Sequence, residues 1–326
     1  MREKRNKIFW RVGLEITPDT FIHADNYNCN QYNLIRRLIA RENFGLLPGG
    51  ATGKGCLRQR GNAAFGNGEM GEAGEMGATP FVVRAGLNNR EVCLEQLVCC
   101  GATEAGYLVL FDDERLAAMP KKQVTIPNVG AAFYVVLRTN PYEQVLIEPV
   151  DYEEAPEASS AYELCVRELG KIAADELAVV KVFNNGYSTV IDPDYIPPCM
   201  SVNACSKLSE VFVSFKKLFA EIRSIIEQKK DQFSKLMYPL TLLHCELDDF
   251  SPSDTPKALV GVIKKFIMTY QFFIPDIKQI AVPDAQKAYY HNDVALIFKS
   301  LLSYLQEVKL IVGKVEMIEE DFTPQI

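Results

Sequence analysis

The sequence predicts an α+β protein in which an antiparallel β-sandwich is followed by a helical bundle. Two patterns carry this prediction. Between residues 81 and 183, short runs that alternate apolar and polar residues are separated by turn residues, which is typical of a sandwich or barrel. Between residues 208 and 311, apolar residues recur at three- or four-residue spacing, which indicates a bundle of three or four helices packed by their apolar faces.

The first predicted element is a helix near the amino terminus. Threonine can cap a helix and proline fits its first position, so Thr17-Pro18 marks the start. Gly45 suits the residue after its end. The predicted helix has one partly apolar face, formed by residues that recur at three- or four-residue spacing: Phe21, Asp25, Asn28, Tyr32, Ile35 and Leu38.

A glycine-rich stretch follows this helix. Half of the chain's 20 glycines fall between residues 49 and 77. Glycine loses the most backbone entropy when it is ordered, and this stretch has few large side chains to offset that loss. We therefore expect a mobile loop.

The remaining elements are assigned from alternation and helical period. No internal repeat is evident, and Asn140-Pro141 is expected to be a turn between two strands. The expected strands are 81–85, 91–99, 107–111, 132–139, 145–148, 162–168 and 177–183. The expected helices are one long helix through 208–236, a shorter piece at 240–247, one that begins at Thr255-Pro256, and one that begins near Asp284.

These elements give a predicted domain organisation. The sandwich would be completed by the amino-terminal segment, and three prolines within six residues would make the connector extended and stiff. The predicted segments are 1–45 (amino-terminal segment and helix), 49–79 (glycine-rich loop), 80–192 (sandwich), 193–203 (proline-rich connector), 204–314 (bundle) and 315–326 (acidic tail, most simply solvated).

Composition narrows the class of protein. With 326 residues, 48% hydrophobic and 24% charged, the chain has the composition of a soluble globular protein large enough for two domains. A net charge of −7 argues against a nucleic-acid partner. Apolar runs are far shorter than the roughly 20 residues that span a bilayer. Nine scattered cysteines indicate reduced, mostly core-filling thiols in a cytosolic protein, and the start of the chain lacks the pattern of an export signal.

We find no catalytic or cofactor-binding pattern in the sequence. The stretch 51–55 contains Gly53-Lys54 but has Gly55 where a phosphate-binding loop needs serine or threonine. The three histidines, His23, His244 and His291, are not spaced as metal ligands. His244 next to Cys245 is most simply a surface histidine beside a buried cysteine, although a Cys–His nucleophile pair stays open. The sequence predicts no cofactor, no metal and no enzymatic activity.

Two motifs resemble the type VI secretion baseplate family TssK. The first carries a tryptophan, a glycine and a Pro-x-x-Phe step into a helix, here Trp10, Gly13, Pro18, Phe21, Asp25 and Tyr27. The second carries an aspartate, an aromatic residue and Ile-Pro-Pro-Cys, here Asp192, Tyr195, Ile196, Pro197, Pro198 and Cys199. Together they cover little of the chain, but the family's order of a sandwich-like shoulder before a helical bundle agrees with the order predicted above.

The resemblance implies a structural role. TssK-like proteins are trimers that join the wedge, made of TssF and TssG, to the membrane complex at the inner face of the inner membrane. By the same resemblance, this chain would be a short form without the carboxy-terminal neck domain, as in a divergent subtype iii system. The amino-terminal segment would contact the wedge through Trp10, Leu14, Pro18 and Phe21, since aromatic anchors dominate interface energies. These side chains could instead dock on the sandwich. Asp192, Tyr195, Ile196, Pro197, Pro198 and Cys199 would set the angle between the domains.

Two other functions are compatible with the sequence. One is a phage-like tail or receptor-binding protein that shares the shoulder but recognises an external ligand. The other is an enzyme that uses Cys245 or another thiol as a nucleophile.

Overall fold

The computed structural model describes residues 7–8, 11–12, 14–40, 43–48, 81–127, 132–147, 157–184, 188–280 and 289–314. The chain forms two compact units, Met1–Cys205 and Ser206–Ile326, and each is described by itself. The predicted glycine-rich loop, the Gly53-Lys54 pair within it, the acidic tail and Trp10 lie outside the described residues.

The described part of the first unit contains a long helix, α1 (Pro18–Ala40), a short helix, α2 (Asp113–Ala118), and two antiparallel sheets. The first sheet is built around β3, which pairs with four other strands, and the second has the order β7-β6-β8-β9. The strands are β1 (Gly45–Leu46), β2 (Val82–Asn88), β3 (Glu91–Ala102), β4 (Leu108–Phe111), β5 (Gln123–Thr125), β6 (Ala132–Ile147), β7 (Glu157–Arg167), β8 (Glu176–Asn184) and β9 (Thr189–Ile191).

Tyr162 joins the two sheets. Its ring meets Phe111 of β4 edge to face, with 5.1 Å between the ring centroids. Its hydroxyl donates to the carbonyl oxygen of Leu110 at 3.0 Å and accepts from the Leu110 N–H at 3.1 Å. One side chain from the second sheet thus satisfies both backbone groups of a residue in the first, and the two antiparallel sheets of this unit are in contact. The predicted fold class is confirmed.

The structure corrects the prediction of two strands separated by a turn at Asn140-Pro141. Residues 132–147 form one strand, β6, and the register with β7 shifts between Asn140 and Gln144. Proline has no N–H to donate to a ladder, so it is accommodated at an irregularity of this kind. Within the irregularity, the Tyr142 N–H donates to Asn140 Oδ1 at 3.2 Å. The pairing on the two sides of Pro141, which alternation alone does not reveal, makes this one strand.

A second correction concerns α2, because the sequence predicted no helix among the strands. This helix is six residues long, too short to show an apolar period. Its N-cap is Asp112, whose side chain accepts the Arg115 N–H at 2.9 Å and also pairs with the Arg115 guanidinium. A capping aspartate followed by acidic residues in the first turn is the local signal that could have predicted it.

The first unit also buries a carboxylate. The side chain of Glu176 is fully buried, and Arg167 donates to it through Nη2 at 2.6 Å and Nε at 3.0 Å. Arg138 Nη2 lies 3.1 Å from its Oε1, and the N–H of Ala173 donates to its Oε2 at 2.9 Å. These four contacts compensate the removal of the charge from water, so Glu176 links the start of β8 to the end of β7 and to the middle of β6.

The second unit is a bundle of four described α-helices, α3 (Ser206–Gln228), α4 (Ser234–Asp249), α5 (Pro256–Phe273) and α6 (Val294–Lys314). The predicted long helix through 208–236 is wrong, because it ends at Gln228 and α4 begins at Ser234. The Lys229 ammonium donates to the carbonyls of Val312 and Gly313 at the end of α6, at 3.1 and 2.9 Å. A lysine there complements the negative end of the α6 dipole, and this contact together with the burial of Phe233 favours a turn.

The start of the last helix also differs from the prediction near Asp284. Helix α6 begins at Val294 after a short 3₁₀ turn, His291–Asp293. The Asp293 carboxylate accepts the Leu296 N–H at 3.4 Å, so it caps the helix. In contrast, α5 begins where Thr255-Pro256 predicts, with the Thr255 hydroxyl accepting the Ala258 N–H at 3.1 Å.

Stacked aromatic rings form the core of the second unit. Phe219 of α3 and Phe266 of α5 are 4.0 Å apart between centroids, and Phe215 meets Phe298 of α6 at 5.6 Å. All four rings are buried. None of the described helices combines the length and the hydrophobicity that crossing a lipid bilayer requires.

Candidate functional site

Helix α1 and the segment before it form the candidate functional site. Thr17 caps the helix reciprocally with Thr20: each backbone N–H donates to the other's hydroxyl, at 3.3 and 3.2 Å. Pro18 occupies the first helical position and Asp19 lies in the first turn, where its charge complements the helix dipole. The local sequence therefore sets the start of α1, as predicted.

The face of α1 that meets the β-sandwich is polar. The Tyr142 hydroxyl donates a hydrogen bond to Asn30 Oδ1. Asn33 is buried, its amide donates to Cys29 Sγ at 3.5 Å, and its Oδ1 accepts from Arg36 Nη1 at 3.1 Å. Amide and thiol groups thus occupy the side on which an amphipathic helix normally places its apolar residues.

A glycine allows α1 to approach the sandwich closely. Gly106 has φ +83°, a left-handed conformation that residues with a Cβ adopt at a cost. A Cβ at this position would lie 2.3 Å from the Asn33 carbonyl oxygen and 2.8 Å from the Arg37 nitrogen. The turn at Gly106 therefore determines how close the helix lies to the β-strands.

The apolar residues of α1 point away from the sandwich. The described residues Phe21, Tyr32, Ile35 and Ile39 are 53–72% exposed and repeat at spacings of eleven, three and four residues, so they lie along one side of the helix. Leu38, 60% exposed, lies beside them. We call these five residues the α1 stripe. It contains part of the apolar face predicted from the sequence, and the structure shows that this face is turned outward.

The candidate wedge residues lie at the amino-terminal end of the α1 stripe. Pro18 and Phe21 are exposed and one helical turn apart, and Leu14 is half-buried in the segment that precedes the helix. Trp10, the fourth candidate, lies outside the described residues. The structure thus brings Pro18 and Phe21 together on one surface, and their contact with a wedge stays a prediction.

The residues predicted to connect the domains lie inside the first unit. Tyr195, Ile196 and Cys199 are buried, and the Tyr195 ring meets Tyr134 at 5.7 Å between centroids. The segment is extended, as its prolines predict, but Leu46 of β1 exchanges backbone hydrogen bonds with it. Its N–H donates to the Pro198 carbonyl at 2.8 Å, and its carbonyl accepts from Met200 at 2.9 Å.

Several contacts fix this proline segment in place. Gly45 has φ +118°, and a Cβ there would lie 2.1 Å from the Pro198 carbonyl oxygen. The Cys199 thiol donates to the Pro197 carbonyl at 3.2 Å, and its pKa is raised well above its usual value by the neighbouring Cys205 thiol and by burial. Asp192 Oδ1 accepts the Asp194 N–H at 3.0 Å. The segment is therefore a packed edge of the sandwich, and its influence on an angle between domains stays a prediction.

The alternative Cys–His pair is arranged differently from the prediction. His244 is buried, with its ring edge to face against Phe266 at 5.3 Å, whereas Cys245 is exposed. The expectation of a surface histidine beside a buried cysteine was therefore wrong, because only position 244 faces the bundle core. Burial lowers the pKa of His244, and the charge of Arg223 lowers it further. The helix directs the two side chains into different environments, so they do not form a nucleophile and base.

The described residues also contain no group of three or more His, Cys, Asp or Glu side chains arranged to hold a metal ion. Eight cysteines are described, at positions 29, 93, 99, 100, 165, 199, 205 and 245, and all of them are free thiols. Burial is the main cause of the raised pKa of Cys99 and Cys165. A thiol whose pKa is raised is a weak nucleophile at neutral pH.

Several solved structures resemble this chain in fold. No protein-family profile and no curated protein sequence matches it. A chain from the structure of the type VI secretion TssK-TssF-TssG baseplate subcomplex aligns with 94% of this chain and 99% of its own length, at 15% identity and a TM-score of 0.57. A crystal structure of TssK covers 93% of this chain and 69% of that chain, at 13% identity and a TM-score of 0.60.

A structure of the type VI secretion baseplate complex gives a similar result, with 94% of this chain and 69% of that chain covered at 13% identity and a TM-score of 0.53. Identities this low establish a shared fold and no more. The fold expected from the two sequence motifs is thereby confirmed, and this chain has the fold of the type VI secretion baseplate protein TssK.

Proposed function

We propose that this protein is a structural adaptor of a type VI secretion baseplate, that it binds a TssF/TssG-like wedge, and that it links the wedge to a membrane complex. The observation that carries the proposal is the α1 stripe. A helix with amides against its own sandwich and aliphatic and aromatic side chains toward solvent has the chemistry of a protein-binding surface. The TssK fold supports the choice of partner, because one structure with that fold is a TssK-TssF-TssG subcomplex.

The wedge contact begins at the amino-terminal end of the stripe. Phe21 is 57% exposed, and Val12 and Ile16 of the preceding segment are also exposed. Aromatic side chains buried at the centre of an interface are among the few residues that contribute about 2 kcal/mol or more to binding. Trp10, Leu14, Pro18 and Phe21 are the residues we propose as the wedge interface, and the rest of the α1 stripe extends it.

The remaining parts of the proposal come from the family resemblance. The protein works as a homotrimer, in the cytoplasm at the inner face of the inner membrane, and its partners are proteins only. It is not an enzyme, which agrees with the separation of His244 from Cys245 described above. By the same resemblance, we further propose that the angle between the two domains is set by Asp192, Tyr195, Ile196, Pro197, Pro198 and Cys199.

Affinity capture of the tagged full-length protein from its native cells tests the wedge contact. We expect TssF- and TssG-like subunits to co-purify, and a variant with Trp10→Ala and Phe21→Ala to lose at least about tenfold of that recovery. Val213→Ala is the matched control, because Val213 is also exposed (63%) but lies on α3. Unchanged wedge recovery by the folded double variant would refute the proposed interface. No secretion component with the unaltered protein would refute the function, and a monomer in light scattering would refute the trimer.

A further inference from the structure

The second unit has an exposed apolar surface on two neighbouring helices. Tyr238 and Leu242 of α4 are 73% and 53% exposed, and Met268 and Phe272 of α5 are 64% and 76% exposed. Within each helix the two residues are four positions apart and therefore lie on the same side. We call these four residues the α4/α5 surface.

An ion pair shows that the two rows of the surface are adjacent. Helices α4 and α5 follow each other in the chain and run in opposite directions. Lys265 Nζ of α5 contacts Glu246 Oε1 of α4, so these two positions are level. Toward the start of α4 and the end of α5, Leu242 and Met268 lie about one turn from this pair, and the other two members lie one further turn along. The four side chains therefore form one continuous apolar surface.

The area of the α4/α5 surface is that of a contact between proteins. Four large side chains with these exposed fractions present roughly 500 Å² to water, which is comparable to the largest apolar patch of a typical monomer, and such patches are often functional. If an equal surface of a second molecule covered it, about 1,000 Å² would be removed from water in total, the area at which specific interfaces begin. The surface is therefore large enough to hold two copies of the chain together.

The charges along α4 indicate which molecule fits this surface. Lys235 lies one turn before Tyr238, whereas Glu246 and Asp249 lie one and two turns after Leu242, all on the same side of the helix. Lys235 and Asp249 are exposed, and the side chain of Glu246 is 39% exposed. This side of α4 is therefore basic at its start, apolar in the middle and acidic at its end. A second α4 that runs in the opposite direction complements all three parts, whereas a parallel one would bring like charges together.

The apolar residues fit the same antiparallel arrangement. A twofold axis that passes between the levels of Tyr238 and Leu242 on α4 also passes between those of Met268 and Phe272 on α5. It places Tyr238 opposite Leu242 of the second copy, and Met268 opposite Phe272 of the second copy. The same axis brings the basic start of each α4 beside the acidic end of the other. One register therefore satisfies both the apolar and the charged residues.

We propose that the α4/α5 surface is a self-association site, at which two copies of this chain pack α4 against α4 and α5 against α5 in opposite directions. The occupant is a second copy, because the surface carries opposite charges at its two ends and the same surface turned around complements them. A twofold contact uses the same residues on both sides and closes after two copies. It is therefore distinct from the threefold contacts of the homotrimer proposed above, and it does not depend on them.

Light scattering measures this association. Over roughly 1–100 μM protein, the unaltered full-length protein should reach twice the mass of a variant with Leu242→Asp and Met268→Asp, because an unpaired charge is costly to bury in an apolar contact. Val213→Asp is the matched control, since Val213 is 63% exposed on α3, and it should keep the larger mass. Circular dichroism checks the fold of each variant. Equal masses of the unaltered protein and the folded double variant would overturn the proposal. The number of chains in the smaller species tests the trimer separately.

An exchange of charges tests the antiparallel arrangement. Lys235→Glu alone and Asp249→Lys alone should each weaken the association by about tenfold or more, because the twofold contact repeats every lost ion pair and every new repulsion. The double variant, Lys235→Glu with Asp249→Lys, should associate within about threefold of the unaltered protein. Both residues are exposed, so the substitutions leave the bundle core unchanged. Single exchanges without effect, or a double exchange no stronger in association than the single ones, would overturn the proposal.

Discussion

Replacement of Gly106 by alanine should detach helix α1 from the sandwich. The new Cβ would lie 2.3 Å from the Asn33 carbonyl oxygen, whereas close carbon–oxygen contacts in proteins are about 3.3 Å, so the helix or the turn must move by about 1 Å. The backbone at φ +83° adds about 1 kcal/mol for a residue with a Cβ. Loss of the Tyr142–Asn30 hydrogen bond adds about 1 kcal/mol more.

Gly106→Ala should therefore weaken the packing of α1 on the sandwich by about 2–3 kcal/mol. Hydrogen–deuterium exchange with mass spectrometry measures it, since amides of Pro18–Ala40 should exchange roughly 30-fold faster or more than in the unaltered protein, with little change in β3. Gly170→Ala is the matched control, because an added Cβ there meets nothing within 4 Å, and its effect should stay within about 0.5 kcal/mol. Equal protection of α1 in the two variants would refute the reasoning.

Three further predictions concern stability, each measured by urea unfolding. Glu176→Ala should lower the free energy of unfolding by about 3 kcal/mol, because it leaves two arginines without their buried partner. Glu163→Ala, at the exposed side of the same cluster, should lower it by less than about 1 kcal/mol. Equal losses in the two variants would contradict this account. Tyr162→Phe should cost about 1–2 kcal/mol, since both hydrogen bonds to Leu110 are lost, and the buried phenol, with its pKa raised to about 12, should not ionise below pH 10. Burial lowers the pKa of His244, so below pH ~6.5 the unfolded chain binds more protons than the folded one, and the free energy of unfolding should fall from pH 7 to pH 5. His244→Gln should show a smaller fall over this range. The same pH dependence in the variant and the unaltered protein would contradict the burial argument.

The sequence by itself determined the elements whose signals are local. Thr17-Pro18 and Thr255-Pro256 mark two helix starts because a cap and a proline act on the backbone beside them. Alternation identified most of the strands because it reflects a half-buried sheet wherever the sheet lies. The order of strands before helices, and with it the α+β fold class, followed from these signals.

The tertiary structure decided what each apolar face meets. The helical period of α1 reveals a face that includes Phe21, Tyr32 and Ile35, but period is the same whether that face is covered or exposed. Gly106 and Asn33 place the opposite side against the sandwich, and their contact joins residues 73 positions apart. The same reason explains why Pro141 could be read as a turn: the pairing with β7 on both sides of it is a tertiary contact that alternation within 132–147 does not reveal. The backbone hydrogen bonds between Leu46 and the proline segment likewise join residues distant in the sequence.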